Sequence, residues 1–178
     1  MPICSPVYAL LGLGASVGDR LQNLRDALRR LHEHGVQIVT VSPVYESPHL
    51  GPDTEKAKIL PAHLNIVAKI ATSLPPEELL QTVLLIESLG GRERNVRWGP
   101  RTIDIDILSY GTIQYQSETL TLPHPEIVNR AFVVRPLLDV VPGFRLPSGA
   151  SLRSRLTAES LRSQEITRTS LSAWPSDN

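Results

Sequence analysis

The sequence predicts an α+β domain with a ferredoxin-like β-α-β-β-α-β core, a mostly antiparallel sheet and C-terminal additions. Three observations carry this reading. Four short runs rich in aliphatic or β-branched residues, Val7–Leu13, Val36–Tyr45, Leu64–Ala71 and Thr102–Tyr110, read as strands. Helical apolar spacing lies between the first and second runs and between the third and fourth. Glycine or proline stands at the element ends. A chain of 178 residues suits one domain, taken as residues 1–150, with 151–178 as an extension.

Glycines at Gly12 and Gly14 close the first strand. Asp19 is placed as a helix N-cap with Gln22 to complete a capping box. Leu21, Leu24, Leu28 and Leu31 repeat at helical spacing before Gly35 ends the helix. The second strand is followed by a polar, Pro-containing loop from Glu46 to Pro61. Pro75 and Pro76 mark the second helix start, with Glu77 and Glu78 in its first turn and Gly90-Gly91 at its end. Gly111 breaks the fourth strand, and Ile113–Leu122 is expected as its hairpin partner. Phe132–Val140 reads as a short helix stopped by Pro142. After Gly149 the apolar pattern fades, which predicts a weakly ordered tail or one loose helix near Leu152–Leu161.

Eighteen Lys and Arg balance eighteen Asp and Glu, so no net field draws the chain to nucleic acid or anionic lipid. One cysteine, Cys4, cannot form an internal disulfide. The first residues carry no basic stretch before their short apolar run, so they do not read as a signal peptide, and no apolar run is long enough to span a bilayer. A cytoplasmic location follows as the expectation.

The strongest chemical signal is Thr102-Ile-Asp104-Ile-Asp106-Ile107. Alternation along a strand puts Asp104 and Asp106 on one face, about 7 Å apart, and the isoleucines on the other. Two carboxylates on one face repel, and a bound Mg²⁺ would relieve this while recruiting phosphate oxygens. A sheet face open to water is the competing explanation. Just upstream, Arg92, Arg94, Arg97 and Arg101 lie in a glycine-bounded, non-periodic stretch with Trp98. Guanidinium groups suit phosphate oxygens, although a solvated surface loop has the same composition. No P-loop, kinase signature set or G-x-G-x-x-G is present. His124, fixed between Pro123 and Pro125, suits either a phosphate contact or a structural turn. Asn65 and Phe132 each suit a planar heterocycle, or the core.

Together these segments resemble the 6-hydroxymethyl-7,8-dihydropterin pyrophosphokinases of folate biosynthesis. The likeness is carried by Arg97-Trp-Gly-Pro-Arg-Thr-Ile-Asp-Ile-Asp-Ile107, Tyr45-Glu-Ser-Pro48 with Leu50-Gly-Pro52, Leu64-Asn65, Leu122-Pro-His-Pro125 and Asn129-Arg-Ala-Phe132, in the family's order over roughly residues 7–145. The resemblance implies transfer of pyrophosphate from ATP to the pterin hydroxymethyl group, releasing AMP. It implies Asp104 and Asp106 as ligands of two Mg²⁺ ions and, with Arg92 and Arg101, as the catalytic set. Glu87, Arg94, Trp98, Thr102, His124 and Arg130 are implied for ATP, and Ser47, Pro48, Leu50, Asn65 and Phe132 for the pterin. The partners are then small molecules, with no nucleic acid, no membrane and a monomeric enzyme. Gly14-Ala15-Ser16 stands where the family usually reads Gly-Ser-Asn, and His63 where an aromatic commonly precedes the Leu-Asn pair. A metal-dependent phosphohydrolase using the same aspartates and a non-catalytic ferredoxin-like binding module are the alternatives.

Overall fold

The computed structural model describes residues 5–48, 61–91 and 102–175. Strand β1 (Val7–Ala15) leads into helix α1 (Arg20–Glu33), β2 (Gln37–Val41), β3 (Tyr45–Ser47) and β4 (His63–Thr72). Helix α2 (Pro76–Leu89) and β5 (Asp104–Tyr110) complete the core. The sheet order is β5-β1-β4-β3-β8, where β8 is Thr167–Arg168, with β2 also paired to β4, and every neighbouring pair is antiparallel. Each helix therefore crosses over a strand that lies between the two it connects. That is the doubled split-βαβ arrangement expected from the element order.

Strand alternation gives the sheet two different faces. One carries Leu11 and Leu13 of β1, Leu64 and Ile66 of β4, and Ile105 and Ile107 of β5, and packs on α1 and α2. Leu24, Leu28 and Leu31 of α1 are 0 % exposed, and burying each contributes about 2 kcal/mol. The other face offers Leu10, Val67 and Leu108 to helix α3 (Ala131–Val140). Asp19 caps α1 by accepting the Gln22 amide at 3.0 Å. The reciprocal arm of the expected capping box is not made, because the Gln22 side chain donates to Asp26 at 3.2 Å.

Four segments differ from their sequence reading. Gly12 and Gly14 do not close β1 but lie inside it, paired with Asp106 and Asp104 on one side and with Val67 and Asn65 on the other. The run Val36–Tyr45 is not one strand. Pro43 has no N–H to give the ladder, and the Ser42 Oγ takes over there by accepting the Val67 amide at 3.0 Å. Pairing resumes at β3, so that Glu46 and Ser47 belong to the sheet rather than to a loop. The expected hairpin partner of β5 pairs with itself instead. Strands β6 (Tyr115–Gln116) and β7 (Thr121–Leu122) form a separate two-stranded sheet. Glu77 of α2 anchors it by accepting from the hydroxyls of Tyr115 (3.1 Å) and Thr119 (3.1 Å).

The C-terminal segment is helical where one loose helix was expected near Leu152–Leu161, and it adds a strand. It has a 3-10 turn (Leu152–Thr157), a one-turn helix α4 (Glu159–Arg162) and strand β8 (Thr167–Arg168). Leu152, Leu161 and Ala173 are at most 2 % exposed. Apolar residues spaced too irregularly to signal an element still fill the gaps left by the core. Among the described residues, no helix is long and apolar enough to cross a membrane.

Candidate active site

The α3 side of the sheet carries a row of groups set by register alone. Asp104 on β5 faces Gly14 on β1, which faces Asn65 on β4, which faces Tyr45 on β3. Paired residues share a face, so the Asp104 carboxylate and the Asn65 amide stand on the same side of the sheet. Between them lies a strand with no side chain at Gly14. Asp106 and Gly12 form a second such pair one pleat along. Both aspartates are half-buried, whereas Ile105 between them is buried on the opposite face. A Cβ at Gly14 would lie 3.4 Å from Asn65 Oδ1. The bare floor therefore gives that oxygen its room.

Asn65 is 5 % exposed. Its amide nitrogen donates to Ser47 Oγ at 3.0 Å and to the His63 carbonyl at 3.3 Å. The amide oxygen is thereby oriented toward the floor as an acceptor. Ser47 is also 5 % exposed, and Pro48 after it is exposed. The hydroxyl of Tyr45 donates to Asp139 of α3 at 2.7 Å. Burial first, and then this bond, push the Tyr45 hydroxyl up to about 12.

Phe132 enters at the first turn of α3 and is half-buried beside the Leu10–Val67–Leu108 cluster. The guanidinium of Arg130 stacks over its ring, 5.8 Å from the centroid, within cation–π range. The His124 amide donates to the Leu108 carbonyl at 2.9 Å, which ties its loop to the strand of the aspartates. His124 Nδ1 accepts the Glu126 amide at 3.1 Å. The proton of the neutral ring is then on Nε2, which makes that nitrogen a donor.

Two expected ATP contacts are placed differently from the others. Glu87 is 1 % exposed, and its Oε1 accepts the Ile105 amide at 2.7 Å. That bond ties α2 to the edge strand β5 through the residue expected at the nucleotide. The Thr102 hydroxyl donates to the Gly91 carbonyl at 3.5 Å, joining the two ends of the arginine-rich segment. Leu50, Arg92, Arg94, Arg97, Trp98 and Arg101 lie outside the described residues, as does Cys4.

The aspartate pair fits a hard cation that keeps ligand positions for substrate oxygens. Among the described residues, no group of three His, Cys, Asp or Glu side chains converges to make a cage without substrate. The sequence reading missed the part played by Gly12 and Gly14, although their alternation with Leu11, Leu13 and Ala15 marks them as one face of a strand. It also missed Tyr45 and Asp139, whose contact spans elements far apart in the chain and leaves no local signal.

Fold and site thus define a class: a ferredoxin-like α+β domain carrying a carboxylate pair and a buried amide on one face of its sheet. Comparison with known proteins places it more narrowly. The chain belongs to the 7,8-dihydro-6-hydroxymethylpterin-pyrophosphokinase (HPPK) family, whose model matches residues 10–142. It is 41 % identical over 133 residues to the 2-amino-4-hydroxy-6-hydroxymethyldihydropteridine pyrophosphokinase of Bacillus subtilis, covering 74 % of this chain and 77 % of that one. The enzyme of the same description from Pseudomonas aeruginosa is 41 % identical over 153 residues, covering 85 % and 90 %. A crystal structure of wild-type Plasmodium falciparum HPPK-DHPS with pterin and p-hydroxybenzoate superposes with a TM-score of 0.65 at 15 % identity. That match covers 87 % of this chain but only 43 % of the other, and it speaks for the fold alone.

Proposed function

We propose that this chain transfers the β,γ-pyrophosphoryl unit of ATP to the hydroxymethyl group of 6-hydroxymethyl-7,8-dihydropterin, giving AMP and the pterin diphosphate in folate biosynthesis. The observation that carries the reading is the shared face of Asp104, Asp106 and Asn65, with glycine at the strand between, in a chain of this family. A phosphate chain and a flat heterocycle need just such adjacent sites.

Asn65 Oδ1 accepts an N–H of the pterin, Ser47 fixes the Asn65 amide, and Phe132 covers one face of the ring. Pro48 and Leu50 border the same pocket. Asp104 and Asp106 would hold two Mg²⁺ ions. Bound there, the metal supplies positive charge that offsets the charge developing on the phosphates. His124 Nε2 and Arg130 donate to phosphate oxygens, and Arg92, Arg94, Trp98, Arg101 and Thr102 close the nucleotide side. The pterin hydroxymethyl oxygen attacks the β-phosphorus, the bond from that phosphorus to the α,β-bridging oxygen breaks, and AMP leaves. The hydroxyl proton passes to water. Positioning of that oxygen in line supplies much of the acceleration. We further take the enzyme as a monomer of the cytoplasm, the single cysteine suiting a reducing compartment.

The test is nucleotide analysis of ATP and Mg²⁺ incubations with and without the pterin. AMP that forms only with the pterin supports the transferase. Inorganic phosphate released equally in its absence would mean a hydrolase, and no turnover with bound ATP would mean a binding module.

A further inference from the structure

Helix α3 begins at the corner that presents Arg130 and Phe132, yet no nearby side chain caps it. The cap comes instead from Gln164, which lies 33 residues downstream of Ala131 and beyond the family-matched segment. Gln164 Oε1 accepts the Ala131 amide at 2.8 Å. Its Nε2 donates to the Asn129 carbonyl at 2.8 Å. One side chain thus grips the backbone on both sides of Arg130. The same nitrogen donates to the Ser160 carbonyl at 2.8 Å, which fixes Gln164 to its own turn.

The rest of the extension makes this grip stiff. Leu152 and Leu161 are buried in the α3 cluster. Strand β8 pairs with β3, placing Arg168 opposite Tyr45. The Thr169 amide and hydroxyl both reach the Val44 carbonyl, at 2.9 and 3.0 Å. Tyr45 in turn bonds Asp139 of α3. Two elements that bear pocket residues, β3 with Ser47 and α3 with Phe132, are therefore both attached to residues 151–175.

We propose that Gln164 is a positioning residue: the C-terminal extension uses it to set the Asn129–Phe132 corner, and through it the pterin pocket. This rests on the functional reading above. A first-turn N–H left without an acceptor frays the helix start, and Phe132 and Arg130 lie on that turn. Preorganised rings and guanidinium groups bind more tightly than ones that must be ordered on binding.

The test compares Gln164→Met and Gln164→Glu in the full chain, reading melting temperature, kcat and KM for pterin and ATP. Gln164→Met removes the acceptor and both donated bonds at similar volume. It should raise the pterin KM about fivefold, the size expected for one lost hydrogen bond, with kcat within about twofold. Gln164→Glu keeps the acceptor for the Ala131 amide but turns a second carboxylate oxygen toward the Asn129 and Ser160 carbonyls in place of a donor, and should raise the pterin KM at least as far as Gln164→Met. Should the Met variant fail to fold, the rise in Gln164→Glu decides. A lowered melting temperature with pterin KM unchanged in every folded variant would overturn the proposal and leave Gln164 a structural cap only. Wild-type protein that forms no AMP with the pterin would instead overturn the functional reading, and this proposal with it.

Discussion

The Glu87 carboxylate accepts the Ile105 amide at 2.7 Å, fixing the one backbone unit that separates Asp104 from Asp106. Ile105 lies on the edge strand of the sheet, where an unpaired amide would otherwise need water. The bond therefore holds the spacing of the two aspartates from the side of α2. Glu87→Ala should cost about 2 kcal/mol, the penalty of a buried donor left without its partner, or about 4–8 °C in melting temperature. Glu87→Gln keeps an acceptor and should leave the ATP KM near that of the wild type. A tenfold rise in that KM at unchanged melting temperature would return Glu87 to direct nucleotide contact.

Gly14 separates stability from function. Its backbone angle is ordinary, and an added methyl would meet Asn65 Oδ1 at 3.4 Å, an ordinary contact distance. Gly14→Ala should therefore leave the melting temperature unchanged or slightly raised, because alanine loses less entropy on folding. The methyl would fill the pocket floor, and the pterin KM should rise about tenfold. Steady-state kinetics beside a thermal melt checks both halves.

His124 offers Nε2 as a donor because Nδ1 is occupied by the Glu126 amide. His124→Ala should raise the ATP KM about tenfold, in the range of a charge-assisted hydrogen bond, and leave the pterin dissociation constant unchanged. Equilibrium binding of each ligand separately distinguishes this from general loosening of the loop.

Tyr45 gives the fold a response at high pH. Its hydroxyl titrates near 12, above its ordinary value of 10.0, so the folded state keeps a proton that the unfolded state releases. Stability from this group is complete below about pH 10 and is lost as pH rises toward 12. Denaturant titrations between pH 8 and 11.5 should show the wild type losing stability faster than Tyr45→Phe. At pH 8 the variant should be weaker by about 1 kcal/mol, for the lost bond to Asp139.

Much of the fold was legible because its signals are local. The Asp19 cap, the Leu24–Leu28–Leu31 stripe and the Pro76 start each act within a few residues. The aspartate pair was legible for the same reason, since alternation along one strand sets its face. What lies across strands was not. Gly12 and Gly14 read as breakers because glycine usually ends strands, and only the register with Asp104 and Asn65 gives them their place. The Val36–Tyr45 run hid a break at Ser42-Pro43, where β-branched composition outweighed a missing N–H. Gln164 carries no signal at all, because a cap supplied from 33 residues away has no motif.

The face of Asp104, Gly14 and Asn65 is the proposed seat of pyrophosphoryl transfer. The most direct measurement is a ³¹P NMR time course with ATP, Mg²⁺ and 6-hydroxymethyl-7,8-dihydropterin, comparing wild type with Asp104→Ala. AMP and pterin diphosphate should appear in equal amounts in the wild type. Their rate should fall by at least about a hundredfold in the variant, with its melting temperature held. Equal rates in both proteins, or AMP without pterin diphosphate, would contradict the account.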